Sequence, residues 1–246
     1  MLERPATFLD ANAGTPLRDE VKAALLSFVQ DGGSAGLTGS GGSAVFFGAN
    51  PSSTHAAGRQ ARKLLTRARE QIAASLGTRA LDRLVLTSSG TEAAQLAIRS
   101  ELEPYLERGE KPHWILTPLE HDAVWQMVSW LEGQGGSVSL LPVDSAGRPD
   151  VQAIQGLWKP ETRLLSAIWV HNETGVITDV AALSAEMRRL GGRLHLDGAQ
   201  AWGKLGFELD QLGAHRVSFS GHKIGAPAGT GVLWSCLLYT SPSPRD

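Results

Sequence analysis

The sequence predicts an α/β fold in which a mostly parallel sheet is sandwiched by helices. Two observations favour this fold class. Short apolar runs recur along the chain, and segments with helical periodicity separate them, as in successive strand–helix units. Most of these runs are apolar throughout, which is typical of strands that are buried on both faces. We therefore expect helices to cover both faces of the sheet.

The N-terminal part of the chain is predicted to hold a short strand, two helices and a loop. The strand and a polar turn fall within residues 7–16, and Pro16 opens a helix with apolar residues four apart, namely Val21, Leu25 and Val29. Residues 31–48 contain seven glycines, which predicts a flexible loop that serves as a linker or a lid. Residues 50–55 cap a second helix, which ends at Gly77. Its predicted core stripe consists of Leu64, Leu65, Ala68, Ile72 and Leu76.

From Arg83 onward the predicted strands and helices alternate. Strands are predicted at residues 84–86, 114–116, 138–141, 164–170, 194–196 and 217–219. Helices are predicted at residues 91–102, 122–131, 151–157 and 180–190. The first of these helices is expected to stop before Pro104, because a proline disfavours the helical conformation in the residue that precedes it.

The composition indicates a globular protein of one large or two modest domains, with 42% hydrophobic and 20% charged residues and a formal net charge of −2. This near-neutral balance gives no indication of a nucleic-acid or membrane-surface partner. Cys236 is the only cysteine, which fits a reducing compartment. The N-terminus lacks a signal-peptide pattern and no apolar run reaches transmembrane length, so we expect a cytoplasmic protein.

Sheets of this type bind ligands at the carboxyl ends of their strands, where several polar groups follow the predicted strands. Gly90 and Thr91 lie in a small-residue turn that opens a helix, and such a turn suits a phosphate group. An ordinary helix cap completed by Glu92 would explain the same residues. His121 could lie flat on an aromatic ring or simply cap its helix. Residues 171–175 form either a binding turn or a polar connection between strand and helix.

Asp197 follows a buried strand, where a carboxylate is costly unless it meets a cation. A protonated pyridine nitrogen is such a cation, and an electron-sink cofactor needs one. A metal ion is the other option, but His195 and Asp197 have no third ligand at a matching spacing. We therefore expect no metal.

Lys223 follows a strand and precedes glycines and a proline. A lysine at a buried strand end loses solvation, which lowers its pKa and makes it a nucleophile able to form a Schiff base. The alternative is a surface lysine in a Gly/Pro-rich loop. Together, the phosphate turn, histidine, buried acid, amide donor and lysine are what bound pyridoxal phosphate requires.

In this order the motifs resemble those of the cysteine desulfurase family, within the class V aminotransferase group of pyridoxal-phosphate enzymes. The likeness runs from about Phe8 to Trp234 and includes residues 8–13 and 50–55. It implies a fold type I large domain with a sheet of the seven-stranded type and pyridoxal 5′-phosphate as cofactor. The implied phosphate ligands are Gly90, Thr91, Ser220 and His222. The implied residues at the ring are His121 stacked on it, Asn172 and Gln200 at the phenolic oxygen, Asp197 at the pyridine nitrogen and Lys223 as the Schiff-base lysine. Lys223 and His121 are the implied catalytic residues.

The resemblance also implies an activity, in which L-cysteine becomes L-alanine and its sulfur passes through an enzyme persulfide to an acceptor scaffold. It implies a homodimer and a role in iron–sulfur cluster assembly. A selenocysteine lyase, a transaminase or a non-catalytic fragment are the alternatives.

Three departures from the family pattern affect these expectations. Gly14 replaces a usual threonine or serine, and residues 31–48 form a longer segment than usual. The chain ends before the small C-terminal domain that carries the nucleophilic cysteine and the substrate-binding arginine. We therefore expect an N-terminal arm at residues 1–15, a cofactor-binding domain at 16–235 and a non-native tail at 236–246, in a truncated chain that binds cofactor but does not desulfurate cysteine.

Overall fold

The computed structural model describes residue 10, residues 12–30 and residues 49–236. The helices within these ranges are α1 (Asp19–Gln30), α2 (Ala56–Ser75), α3 (Gly90–Glu107), α4 (Asp122–Gly133), α5 (Ile154–Leu157) and α6 (Val180–Leu190). The strands are β1 (Leu84–Thr87), β2 (His113–Leu116), β3 (Ser137–Leu140), β4 (Thr162–Ile168), β5 (Arg193–Asp197), β6 (Arg216–Ser220) and β7 (Gly231–Ser235). The predicted strand before residue 10, the glycine-rich segment 31–48 and the tail from residue 237 lie outside the described residues.

The strands form one seven-stranded sheet in the order β1-β7-β6-β5-β4-β2-β3. The pairs among β2, β3, β4, β5 and β6 are parallel, whereas β7 runs antiparallel to both of its neighbours. The predicted α/β fold with a mostly parallel sheet is therefore confirmed. Sequence analysis missed β7, although the apolar run of Val232, Leu233 and Trp234 after a glycine-rich turn was a usable signal.

Helices pack on both faces of the sheet. Leu164 and Leu165 are adjacent on β4 but belong to different apolar clusters, because successive side chains of a strand point to opposite faces. One cluster joins the sheet to α6 through Leu183 and Met187. The other joins it to α3 and α4 through buried residues that include Ile98, Leu102, Val124 and Leu131.

Two predictions about helices were wrong in detail. Helix α3 continues through Pro104 to Glu107. Leu102 and Leu106 pack against the second cluster on either side of the proline, which offsets the hydrogen bond that its missing N–H cannot make. Helix α1 begins at Asp19 rather than at Pro16.

The predicted core stripe of α2 was also wrong for part of its length. Leu65 is 41% exposed and Ala68 is exposed as well. Only the C-terminal end of this helix packs on the main cluster, through Ile72, Ala73 and Leu76. In the part of the chain that the structure describes, no helix is both long and apolar enough to span a membrane.

Candidate functional site

A cavity of about 670 Å³ opens at the carboxyl ends of the parallel strands. Its lining includes every site residue that the sequence singled out, namely Gly90, Thr91, His121, Asn172, Asp197, Gln200, Ser220, His222 and Lys223. The remaining lining residues are Asp10, Asn12, Ala13, Ser89, Ala123, Ile168, Val170, Glu173 and Ala199. The structure thus brings together residues that come from widely separated parts of the chain.

The turn from β1 into α3 forms one wall of this cavity. Ser89 is the N-cap of α3, and its side-chain oxygen accepts a hydrogen bond from the Glu92 N–H at 3.0 Å. Gly90 and Thr91 begin the helix, where backbone N–H groups have no intrahelical acceptor and the helix dipole favours an anion. The Glu92 carboxylate accepts hydrogen bonds from the N–H and the hydroxyl of Ser88, and these bonds lower its pKa. The helix cap predicted from the sequence is therefore present, and it leaves the helix N-terminus in a state that suits an anion.

The end of β6 lies directly against that turn. A Cβ atom added to Gly90 would lie 2.7 Å from the Cβ of Ser220, so a larger residue here would force one of the two segments to shift. The Ser220 hydroxyl is 2.9 Å from Nδ1 of His222. Burial and, to a smaller extent, the positive charge of Lys223 lower the pKa of His222. Hydroxyl, imidazole and helix N-terminus thus converge in a geometry that suits an anion such as phosphate.

Asp197 ends β5 with its carboxylate buried, at 7% exposure. Its Oδ1 accepts a hydrogen bond from the Ala199 N–H at 2.9 Å. Burial raises the pKa of Asp197, while that hydrogen bond and the nearby His121 and Lys223 act in the opposite direction. No residue among those described forms a salt bridge with it within 4.0 Å. A buried carboxylate in this state favours a cationic ligand.

His195, two residues earlier on β5, does not join Asp197 in a metal site. Its Nδ1 lies 3.2 Å from the Ser166 hydroxyl and its Nε2 lies 3.1 Å from the Ser218 hydroxyl. Burial, aided by the charge of Arg216, lowers the pKa of His195 to about 3, so the ring is neutral. Both nitrogens are engaged inside the sheet, and His195 is part of its buried polar core.

His121 is the N-cap of α4 and faces the cavity. Its Nδ1 accepts a hydrogen bond from the Ala123 N–H at 3.1 Å. The two functions considered from the sequence are therefore compatible, because the capping bond fixes the ring beside the cavity.

Lys223 lies in a 3₁₀ turn that follows β6, in a half-buried position. Its amine donates hydrogen bonds to the backbone carbonyls of Asn12 at 2.7 Å and Ala13 at 3.0 Å. Burial lowers its pKa, and the carboxylates of Asp197 and Asp10 oppose that change. The side chain is therefore held over the cavity in a setting that favours the reactive, uncharged amine.

Asn172 and Gln200 border the same space and bind the N-terminal segment. The Asn12 side chain donates to the Asn172 carbonyl at 3.1 Å, and Gln200 Nε2 donates to the Asn12 carbonyl at 3.0 Å. The Lys204 amine donates to Gln200 Oε1. The Gln200 amide nitrogen keeps a second N–H, which a ligand oxygen in the cavity could accept.

Two contributions to this site were missed by sequence analysis. Asn12 and Ala13 act through backbone carbonyls, which no side-chain pattern reveals. Glu120 is 7% exposed, and its Oε1 accepts hydrogen bonds from the Thr117 hydroxyl and the Ile168 N–H. Its position just after the apolar strand β2 was a signal comparable to that of Asp197, but the sequence offered no partner for it.

The profile of the aminotransferase class-V family matches residues 7–237 of this chain. A protein of Trichormus variabilis named cysteine desulfurase 2 is 34% identical over 227 residues, which cover 92% of this chain and 52% of that protein. The cysteine desulfurase NifS of Azotobacter vinelandii has the same identity and the same coverage of both chains. The solved structure of SspA in complex with cysteine superimposes with a TM-score of 0.82 at 27% identity, covering 94% of this chain and 61% of SspA. The chain spans about half the length of the curated relatives it matches.

Proposed function

The chain belongs to the aminotransferase class V family, and we propose that its cavity binds pyridoxal 5′-phosphate for a cysteine desulfurase reaction. One observation supports this most directly. One cavity is lined by three groups: the buried Asp197 carboxylate, the Lys223 amine and the helix-opening turn at Gly90. A phosphorylated ring with a protonatable nitrogen and an aldehyde has a complementary group for each of them.

The residues present fit this cofactor. The phosphate would be held by the N-terminus of α3 at Gly90 and Thr91, with Ser220 and His222. The ring would be held by His121 on its face and by Asp197 at its nitrogen, with Gln200 and Asn172 at its phenolic oxygen. Lys223 would bind the aldehyde carbon. The absence of a side chain at Gly90 is what keeps the phosphate position open, because a Cβ there would press on Ser220.

In the proposed reaction the cofactor supplies an electron sink for the bonds at the substrate α-carbon. Lys223 would hold the cofactor through its amine, and the free amine would move the α-proton of the substrate at Nζ. Burial lowers the pKa of Lys223, which favours the uncharged amine that this role requires. Asp197 holds a negative charge where the ring nitrogen needs a proton, and His121 orients the ring from α4.

We assign L-cysteine as the substrate: attack by an enzyme cysteine thiolate on the substrate sulfur would break the bond from sulfur to the β-carbon, and a proton added to that carbon would give L-alanine and an enzyme persulfide. No described residue that lines the cavity supplies this thiolate. The names of the related cysteine desulfurases and of the cysteine complex of SspA support this choice. Passage of the sulfur to a scaffold for iron–sulfur cluster assembly, a homodimeric state and a cytoplasmic location belong to the same proposal.

The test is reconstitution of the purified chain with pyridoxal phosphate, followed by an absorbance spectrum and borohydride reduction. We expect a visible band in the parent protein and, after reduction and proteolysis, the added mass on the peptide that contains Lys223. The band should be lost in Lys223→Ala and retained in Lys111→Ala, which removes an amine from an exposed position away from the cavity.

An equal band in Lys223→Ala, or the added mass on another lysine, would show that the assignment of Lys223 is wrong. Cysteine, selenocysteine and alanine added to the reconstituted protein then separate the desulfurase from a lyase or transaminase. Conversion of the band by cysteine in preference to the other two supports the proposed substrate.

A further inference from the structure

Glu120 is a buried carboxyl group beside the cavity to which the mechanism above gives no role. It follows β2 and is 7% exposed. Its Oε1 accepts from the Ile168 N–H at 2.8 Å and from the Thr117 hydroxyl. Its Oε2 is fully buried and has no hydrogen-bond partner among the described residues. A buried carboxylate with one unpartnered oxygen is costly, whereas a neutral carboxyl group is much less so.

The hydrogen bond to Ile168 connects Glu120 with the aspartate that faces the cavity. Ile168 ends β4 and is the register partner of Asp197 on β5. The next residue, Trp169, donates its N–H to the Asp197 carbonyl at 2.9 Å. Glu120 therefore holds the end of β4 at the point where β4 fixes the backbone of Asp197.

The charges around the two carboxyl groups are unequal. Asp197 is close to His121 at the start of α4 and to Lys223 after β6, and it accepts the Ala199 N–H. Glu120 interacts electrostatically with Asp197, and none of the described Lys, Arg or His residues forms a salt bridge with it or lowers its pKa. Burial raises the pKa of Glu120 to about 8, with the negative charge of Asp197 acting in the same direction and the bonds from Thr117 and Ile168 opposing it.

We infer that Glu120 is a positioning residue that carries the proton of the Glu120–Asp197 pair, so that it holds β4 while the single negative charge stays on Asp197. A second negative charge at Glu120 would repel that of Asp197 and raise the affinity of the Asp197 carboxylate for a proton of its own. This inference rests on the proposed function only in naming that ligand, because the proton on Glu120 is a property of the protein alone.

The test compares the parent chain with Glu120→Gln, which keeps an acceptor oxygen for Thr117 and Ile168 and cannot ionise. The measured quantity is the melting temperature from pH 5 to pH 8 without added cofactor. When the pKa of an acid is higher in the folded state than in the unfolded state, protonation of that acid favours folding. This contribution to stability is fully present below the unfolded pKa and is lost as the pH rises through the folded pKa. The parent should therefore lose melting temperature relative to Glu120→Gln across this range.

Glu132→Gln is the matched control, because Glu132 is an exposed carboxyl group on α4. Its melting profile should run parallel to that of the parent. Parallel profiles for the parent and Glu120→Gln would overturn the inference, since they would mean that Glu120 does not hold a proton in the folded protein.

The positioning role has its own measurement, the affinity for pyridoxal phosphate followed by absorbance. We expect Glu120→Gln to bind like the parent, and Glu120→Leu to bind about tenfold more weakly because the Ile168 N–H loses its acceptor. Weak binding by Glu120→Gln together with tight binding by the parent would show that a charge at Glu120 is required and would contradict the inference. Absence of binding by the parent would count against the proposed function, while the melting profiles would still decide the protonation of Glu120.

Discussion

A carboxylate is buried at each end of the central strands, and only the one at the amino end forms salt bridges with described residues. At the amino end, Glu101 of α3 lies 2.9 Å from Nη2 of Arg216, the first residue of β6, and 3.9 Å from Nε of Arg193, the first residue of β5. At the carboxyl end, Asp197 ends β5 without a salt bridge to any described residue. Both carboxylates are 7% exposed. The difference is therefore one of partners and not of burial.

This contrast separates a charge that is paired within the protein from one that we propose is paired by a ligand, within a single sheet. Arg216 is 3% exposed and also donates to the Ser235 hydroxyl at 2.6 Å, so its guanidinium ties β6, β7 and α3 together. Burial still raises the pKa of Glu101, but both arginines oppose that change. Asp197 forms no salt bridge with a described residue and has only the more distant His121 and Lys223 to offset its burial, so a ligand that brings a cation into contact adds a new attraction.

The largest expected effect tests the structural end. Arg216→Ala leaves Glu101 buried without its closest cation, which should lower the free energy of unfolding by about 3–5 kcal/mol. Urea unfolding measures this value, and adding Glu101→Gln to the same chain should restore part of it. Arg189→Ala is the control, because its salt bridge with Glu186 is similarly short at 2.6 Å but exposed, and little change is expected. Equal effects of the two arginine variants would remove the distinction between the ends.

A smaller effect tests the packing at the functional end. Gly90→Ala places a Cβ 2.7 Å from that of Ser220, so it should destabilise the chain by about 1–3 kcal/mol and weaken cofactor binding. Gly156→Ala is a suitable control, because no atom lies within 4 Å of its added Cβ. Adding Ser220→Gly to Gly90→Ala should recover the stability. If the two alanine variants unfold at the same urea concentration, the close approach of these segments has no energetic importance.

The smallest expected effect is an increase in the free energy of unfolding, whereas the two changes above lower it. Because burial raises the pKa of Asp197, its ionised form costs stability as the pH rises above the unfolded value, at about 1.4 kcal/mol for each unit of pKa shift. Asp197→Asn should therefore stabilise the cofactor-free chain at neutral pH, and this gain should disappear in acid. It should also weaken the binding of pyridoxal phosphate. Destabilisation at neutral pH would place Asp197 with Glu101 among the structural charges.

Much of the carboxyl end could be predicted from the sequence. Asp197 and Lys223 each follow a strand that apolar patterning reveals, and parallel strands bring their carboxyl ends to one edge. The domain boundaries and the roles of the individual residues remain predictions. The bonds from Lys223 to Asn12 and Ala13 could not be foreseen, because they join backbone carbonyls to a side chain more than 200 residues away, at separations of 211 and 210.

The salt bridge at the amino end could not be predicted from the sequence for a related reason. Glu101 falls within an ordinary helical pattern, and Arg216 precedes an apolar strand as many surface arginines do. Their pairing depends on how α3 lies across the sheet, which is a property of tertiary packing. The course of α3 through Pro104 has the same origin, since the contacts of Leu102 and Leu106 outweigh the local preference of the proline.

The insertion of β7 between β1 and β6 has a consequence for the biosynthesis of this site. Within the described sheet, β1 pairs with β7 alone, so the turn that carries Gly90 has no strand partner until residues 231–235 have been made. The parallel strands β2 to β6 can assemble earlier from neighbouring units. Pairing across so long a stretch of chain is slow. We therefore expect the turn at Gly90 and the end of β6 at Ser220 to meet late in folding. A ribosome-bound chain that lacks β7 would contain Lys223 and Asp197 but not the assembled pair of segments that we propose holds the phosphate.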